Sequence, residues 1–145
     1  MSAYIEFYLK VEDKFVPIAS YSRSNILYEV GHDSGVPWEK IRKLDKELFS
    51  EMVNKLNTRI DAYEMYIDEN ESRKSIIASM LNSIEDKIKA LDELQHVIDE
   101  MKNSLSEYET AQTEFRFMSE LESESGYPVY IGIEVGEPTV EENED

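Results

Sequence analysis

The residues best able to do chemistry are few and scattered. His32 and His96 are the two histidines, 64 positions apart, and no cysteine accompanies them. His32-Asp33 has the look of a metal-binding dipeptide, but a metal site needs further ligands that converge, and no other histidine is near in sequence. Asp68-x-Asn70-x-Ser72 opens with the rhythm of a calcium loop. It then puts Arg73 where that loop needs its glycine and Ser79 where it needs the bidentate glutamate, so the match fails. No glycine-rich phosphate loop, Gly-x-Ser-x-Gly elbow or His-Glu-x-x-His pair occurs. The expectation is a protein without catalytic residues, metal or cofactor.

Two groups of residues retain chemical content. Asp86, Glu93, Glu100, Glu107 and Glu114 recur every seven residues, with Glu85, Asp92 and Asp99 running beside the first three. Such a ridge of carboxylates imitates a phosphate strand and attracts a basic groove by the field that steers nucleic acid itself. The bland alternative is the solvated, charged outer face of a coiled coil. The second group is the polar segment Tyr21, Ser22, Arg23 and Ser24, a candidate recognition loop beside several of the nine tyrosines.

These groups must be held by particular elements. Residues 4–11 alternate, with Ile5, Phe7, Leu9 and Val11 on one side and Tyr4, Glu6, Tyr8 and Lys10 on the other, the period of a half-buried strand. A turn at Glu12-Asp13-Lys14 and a second strand follow, in which Pro17 demands an edge or a bulge. Ser24 or Asn25 should cap a short helix running through Val30, with Gly31 as its stop. From Trp38 to Ser125 neither glycine nor proline occurs, and the series Ile77, Ile84, Leu91, Ile98, Leu105 with Met80, Leu94, Met101, Tyr108 and Phe115 forms an a/d seam. The first arm offers Phe49, Val53, Leu56, Ile60, Tyr63 and Ile67 to match it, and Asp45 with Arg42 and Glu51 with Lys55 as ion pairs.

One uninterrupted rod would be on the order of 130 Å long at 1.5 Å per residue. Residues 129–135 alternate as a strand that needs a partner. Pairing with the N-terminal hairpin brings residues near 40 and 123 together and sets the turn at 80–83, where Asn82-Ser83-Ile84-Glu85 carries a capping-box signal. The expected fold is therefore α+β and mostly α: a long antiparallel helical hairpin with a small antiparallel sheet built from the N-terminal β-hairpin and a C-terminal strand. The expected organisation is one domain over 1–136, comprising 1–37, the hairpin 38–125 and the strand region 126–136, followed by a disordered acidic tail at 137–145.

Composition narrows the partners. A net charge of -17, from 32 acids and 15 bases, disfavours direct nucleic-acid binding and favours a basic protein partner. No apolar run is long enough to span a bilayer, and the start of the chain lacks the pattern of a signal peptide, so the expectation is a cytoplasmic protein without membrane association. The run Ala3-Tyr4-Ile5-Glu6-Phe7-Tyr8-Leu9, Ser22-Arg23-Ser24, the acidic helices and Tyr130-Ile131-Gly132-Ile133-Glu134-Val135-Gly136 together resemble small uncharacterised acidic proteins of phages and prophages of Gram-positive bacteria. The resemblance implies a context and no activity; in host bacteria the location would be the host cytoplasm. The leading functional expectation is a non-enzymatic antagonist of a host defence or nucleic-acid-binding protein, acting through the acidic ridge. The alternatives are a homo-oligomeric assembly protein, such as a four-helix homodimer, and a binder of a small anionic nucleotide at Arg23 and the neighbouring tyrosines.

Overall fold

The computed structural model describes residues 3–37, 40–80 and 83–135. The expected acidic tail at 137–145 lies outside the described residues, as do Leu81 and Asn82 of the expected turn. Contacts divide the chain into two compact units, Met1–Leu56 with Ala111–Asp145, and Asn57–Thr110. The fold is the expected α+β arrangement dominated by helix, with a small antiparallel sheet.

In the first unit, the alternating segments pair as strands β1 (Ala3–Val11), β2 (Lys14–Ser22) and β4 (Val129–Val135), with a two-residue β3 (Arg42–Lys43) beside β4. The order is β2-β1-β4-β3 and all pairs are antiparallel. β2 is an edge strand. Its register slips between Phe7 and Tyr8, opposite Pro17 and Ala19, so Pro17 sits at a bulge where its missing N–H costs the ladder least. Ile5, Phe7, Val129, Ile131 and Ile133 are fully buried on one face. The opposite side of β1 departs from the expected solvent face, because Glu6 and Tyr8 are buried too. The Phe15 ring lies edge-on to Tyr8 and Tyr130 at 6.3 and 5.1 Å, and the Lys10 ammonium caps Phe15 and Tyr130 at 5.5 and 5.8 Å, covering that surface.

α1 spans Ile26–Asp33, and the Asn25 side chain accepts from the Leu27 N–H at 2.8 Å, making Asn25 the cap. Gly31 does not stop this helix. It lies inside it, where an added Cβ would sit 2.5 Å from Ile5 Cδ1, so its lack of a side chain lets α1 approach β1. The stop is Gly35, whose φ of +85 suits the left-handed residue of a Schellman turn. Val36 N–H donates to the Gly31 carbonyl and Gly35 N–H to that of His32, and the buried Val36 supplies the accompanying apolar contact.

The long glycine-free stretch is not helical from its start. Arg42 and Lys43 pair with Ile131 and Tyr130, and α2 (Lys46–Ser79) begins only after Asp45. The exposed edge of β4 is a row of open hydrogen-bonding groups, and extended backbone fills it more completely than a helix would. Asp45, expected to pair with Arg42, accepts from the Leu48 N–H at 2.8 Å and caps α2. Lys55 and Glu51 do pair, at 3.5 Å. Leu48, Met52, Leu56, Phe115 and Met118 complete this core, with Phe115 stacked on Phe49 at 5.0 Å and edge-on to Phe7 at 6.2 Å.

In the second unit, α2 faces α3 (Ile84–Ser125). Ile60, Ile67 and Ile98 are buried, Tyr63 meets Tyr108 at 5.5 Å, and Asn70 donates to Met101 Sδ at 3.7 Å. Lys102 reaches Glu71 at 3.7 Å and the Lys87 ammonium donates to the Ala78 carbonyl at 3.4 Å. Ser83 Oγ accepts from the Asp86 N–H at 3.2 Å, so the start of α3 is capped one residue later than the Asn82-to-Glu85 signal implies.

Candidate functional site

The helical period decides which acids reach solvent. Asp86, Glu93, Glu100 and Glu107 are exposed on α3, as are Glu85, Asp92 and Asp99. From Asp86 to Glu107 is about 32 Å along a helix rising 1.5 Å per residue. His96 lies on this side and its Nε2 is 3.3 Å from Glu100 Oε2; Gln95 donates to Asp99 at 2.9 Å. A shallow depression lined by Asp92, Glu93, Gln95, His96, Val97 and Asp99 interrupts the ridge. Acceptors dominate, so the surface suits lysine and arginine side chains from a partner.

Glu114 does not belong to this ridge. It is half-buried in the first unit and accepts a hydrogen bond from the Tyr21 hydroxyl. Burial, the charge of Glu114 and that hydrogen bond together push the Tyr21 phenol above its ordinary value of 10.0, holding it neutral. A seven-residue count along one helix cannot register that a tyrosine from another element has taken up the fifth acid.

The same contact splits the expected recognition loop. Tyr21 and Ser22 are the last residues of β2, and Tyr21 packs edge-on to Phe7 at 6.0 Å. Arg23 and Ser24 instead line an open cleft of about 530 Å³ with Asn25, Tyr28, Glu29 and His32. Ser22 and Ser24 share a hydrogen bond between hydroxyls at 3.0 Å, and the Tyr28 and His32 rings stack at 6.4 Å. His32 Nδ1 lies 3.7 Å from Asp33. The cleft is large enough for a small molecule. Its wall mixes the Arg23 cation with the Glu29 carboxylate, which weakens the case for an anionic nucleotide. Among the described residues, no three His, Asp or Glu side chains converge as metal ligands, and no helix is long and apolar enough to cross a membrane.

One exposed apolar surface does not follow from the spacing of residues along the chain. Ile76 lies in the last turn of α2 and Met80 just past its end, and Ile84 and Ile88 open α3; all four are exposed, Ile84 most of all at 75%. Met80 and Ile84 belong to the a/d series, which predicts burial. The available signal was the surplus: Ile76 and Ile88 add apolar positions at this end that the seam does not require.

Comparison with protein-family models, with curated proteins and with solved structures finds no match to this chain.

Proposed function

We propose that this protein works without catalysis, by binding a partner protein with a basic surface along the acidic side of α3. The observation that carries the reading is the simultaneous exposure of Asp86, Glu93, Glu100 and Glu107 at seven-residue spacing. The field of such a row falls off within about 10 Å at 0.1 M salt, so it acts on groups brought close to the helix and is weakened by added salt. The partner class it fits best is a nucleic-acid-binding protein whose groove accepts carboxylates in place of phosphates. Within this proposal, the resemblance to phage and prophage proteins directs the search to host defence and nucleic-acid-binding proteins.

The test compares the wild type with Asp86→Asn/Glu93→Gln/Glu100→Gln/Glu107→Gln as bait in bacterial lysate at about 0.1 and about 0.5 M salt. A basic protein retained by the wild type at low salt, released at high salt and missed by the quadruple variant supports the reading. Equal retention by both baits, or no salt-sensitive basic partner, refutes it.

A further inference from the structure

The end of the helical hairpin combines two properties that do not occur together elsewhere among the described residues of the second unit. Ile76, Met80, Ile84 and Ile88 are 56%, 43%, 75% and 60% exposed, large aliphatic groups left largely in water, which penalises them. Ile84 and Ile88 form an i,i+4 pair that gives α3 a short apolar ridge, and Ile76 in the last turn of α2 and Met80 just past it add to the patch. Around them the charge balance inverts. Residues 73–90 hold four bases, Arg73, Lys74, Lys87 and Lys89, against two acids, Glu85 and Asp86. Residues 57–72 hold five acids against one base, and residues 91–110 hold six against one.

We propose that this tip is a self-association surface on which two copies of the chain meet end to end. The charges select that occupant and that geometry. Two acidic stems laid side by side repel along their length, which disfavours the lateral four-helix dimer. Two tips meet with less like charge, a net of +2 each, and each brings both signs next to its apolar patch. In a two-fold arrangement the same patch serves both partners, so Glu85 and Asp86 of one copy can face the lysines of the other. A bilayer is the poorer occupant. The tip has none of the tryptophan or tyrosine that anchors proteins at the headgroup level, and the acids flanking it are repelled by anionic lipid.

The contact is small. Four such side chains offer a few hundred square ångströms per copy, below the ~800 Å² per partner of a standard interface, so the dimer is weak and reversible. Its salt response separates it from the acidic binding face of α3, on which it does not depend. Screening relieves repulsion between two chains of net charge -17, so added salt strengthens association at the tip while weakening capture of a basic partner.

Sedimentation of the whole chain between about 10 µM and about 1 mM, at about 0.1 and about 0.5 M salt, measures the association constant directly. The wild type should pass from monomer to dimer across this range, more readily at high salt. Ile84→Gln should weaken dimerisation severalfold, and Ile76→Gln/Ile84→Gln/Ile88→Gln at least tenfold, with circular dichroism unchanged since glutamine suits a helix. A monomer at every concentration overturns the proposal, as does a triple variant that dimerises like the wild type. Pelleting of the monomeric wild type, but not the triple variant, with vesicles of phosphatidylserine and phosphatidylcholine would assign the patch to lipid and overturn it equally.

Discussion

Gly31→Ala tests whether the contact between α1 and β1 sets the first unit's packing, and its size can be worked from two opposed effects. Alanine is favoured over glycine inside a helix by ~1 kcal/mol. Against this, the new methyl would lie 2.5 Å from Ile5 Cδ1, and Ile5 is fully buried in an interior of the close-packed kind that resists added volume. Forcing a methyl group aside in a filled core costs ~2 kcal/mol, the middle of the over-packing range. The net expectation is a loss of ~1 kcal/mol. Ile5→Val removes the obstructing methyl and by itself costs ~1 kcal/mol through the space it leaves. Combined, the alanine methyl fills that space and the helix gain is recovered, so the double variant should match the wild type to within ~0.5 kcal/mol. Urea unfolding followed by circular dichroism resolves these differences, since 1 kcal/mol moves the midpoint by about 0.5 M. A Gly31→Ala variant more stable than the wild type, or single losses that simply add in the double variant, would show that this contact does not set the packing.

Gly132→Ala meets backbone rather than a side chain, with the Lys40 carbonyl oxygen at 2.9 Å and Ile41 Cα at 3.5 Å. No rotamer relieves this, so a loss of ~1–3 kcal/mol is expected, with faster amide exchange at Leu44 and Ile133, which donate to Val129 and Pro37. Unchanged protection at both amides would show that residues 40–43 do not depend on the bare glycine. Tyr21 has a folded-state pKa raised above its ordinary value of 10.0, first by burial and then by Glu114. The folded state therefore holds that proton more tightly than the unfolded chain, and the stability it contributes is complete below pH 10 and lost as pH climbs through the raised value. Tyr21→Phe should accordingly narrow its stability gap to the wild type above pH 10, and Glu114→Gln should move the alkaline absorbance titration of Tyr21 downward. A gap that does not change with pH would contradict the raised Tyr21 pKa, and an unmoved titration in Glu114→Gln would break its link to Glu114.

Much of the architecture is legible along the chain, and the exceptions have identifiable causes. β1 and β4 announce themselves because alternation has a period of two and the buried face of each is aliphatic or aromatic. Arg42 and Lys43 cannot be read as a strand, since two residues have no period and only the open edge of β4 gives them a partner. Gly31 carries the same letter as a helix stop; its proximity to Ile5 is what reveals its role. Pro17 demands an edge or a bulge, and β2 supplies both.

The candidate surfaces divide in the same way. Exposure of Asp86, Glu93, Glu100 and Glu107 follows from helical period alone, because charged groups seven apart and off an apolar seam remain hydrated. The withdrawal of Glu114 from that row and the parting of Tyr21 from Arg23 depend on which elements meet, and no spacing within one helix encodes a neighbour from another. Burial along the seam is a property of two helices, not one. Ile84 repeats the letter of Ile98, yet Ile98 is buried while Ile84 lies beyond the end of α2 at Ser79 and faces water. The amino-acid order thus determined the elements and their apolar and acidic faces through short-range periodicity. Only the tertiary structure decided where each face finds a partner and where it is left open, because burial depends on what packs opposite.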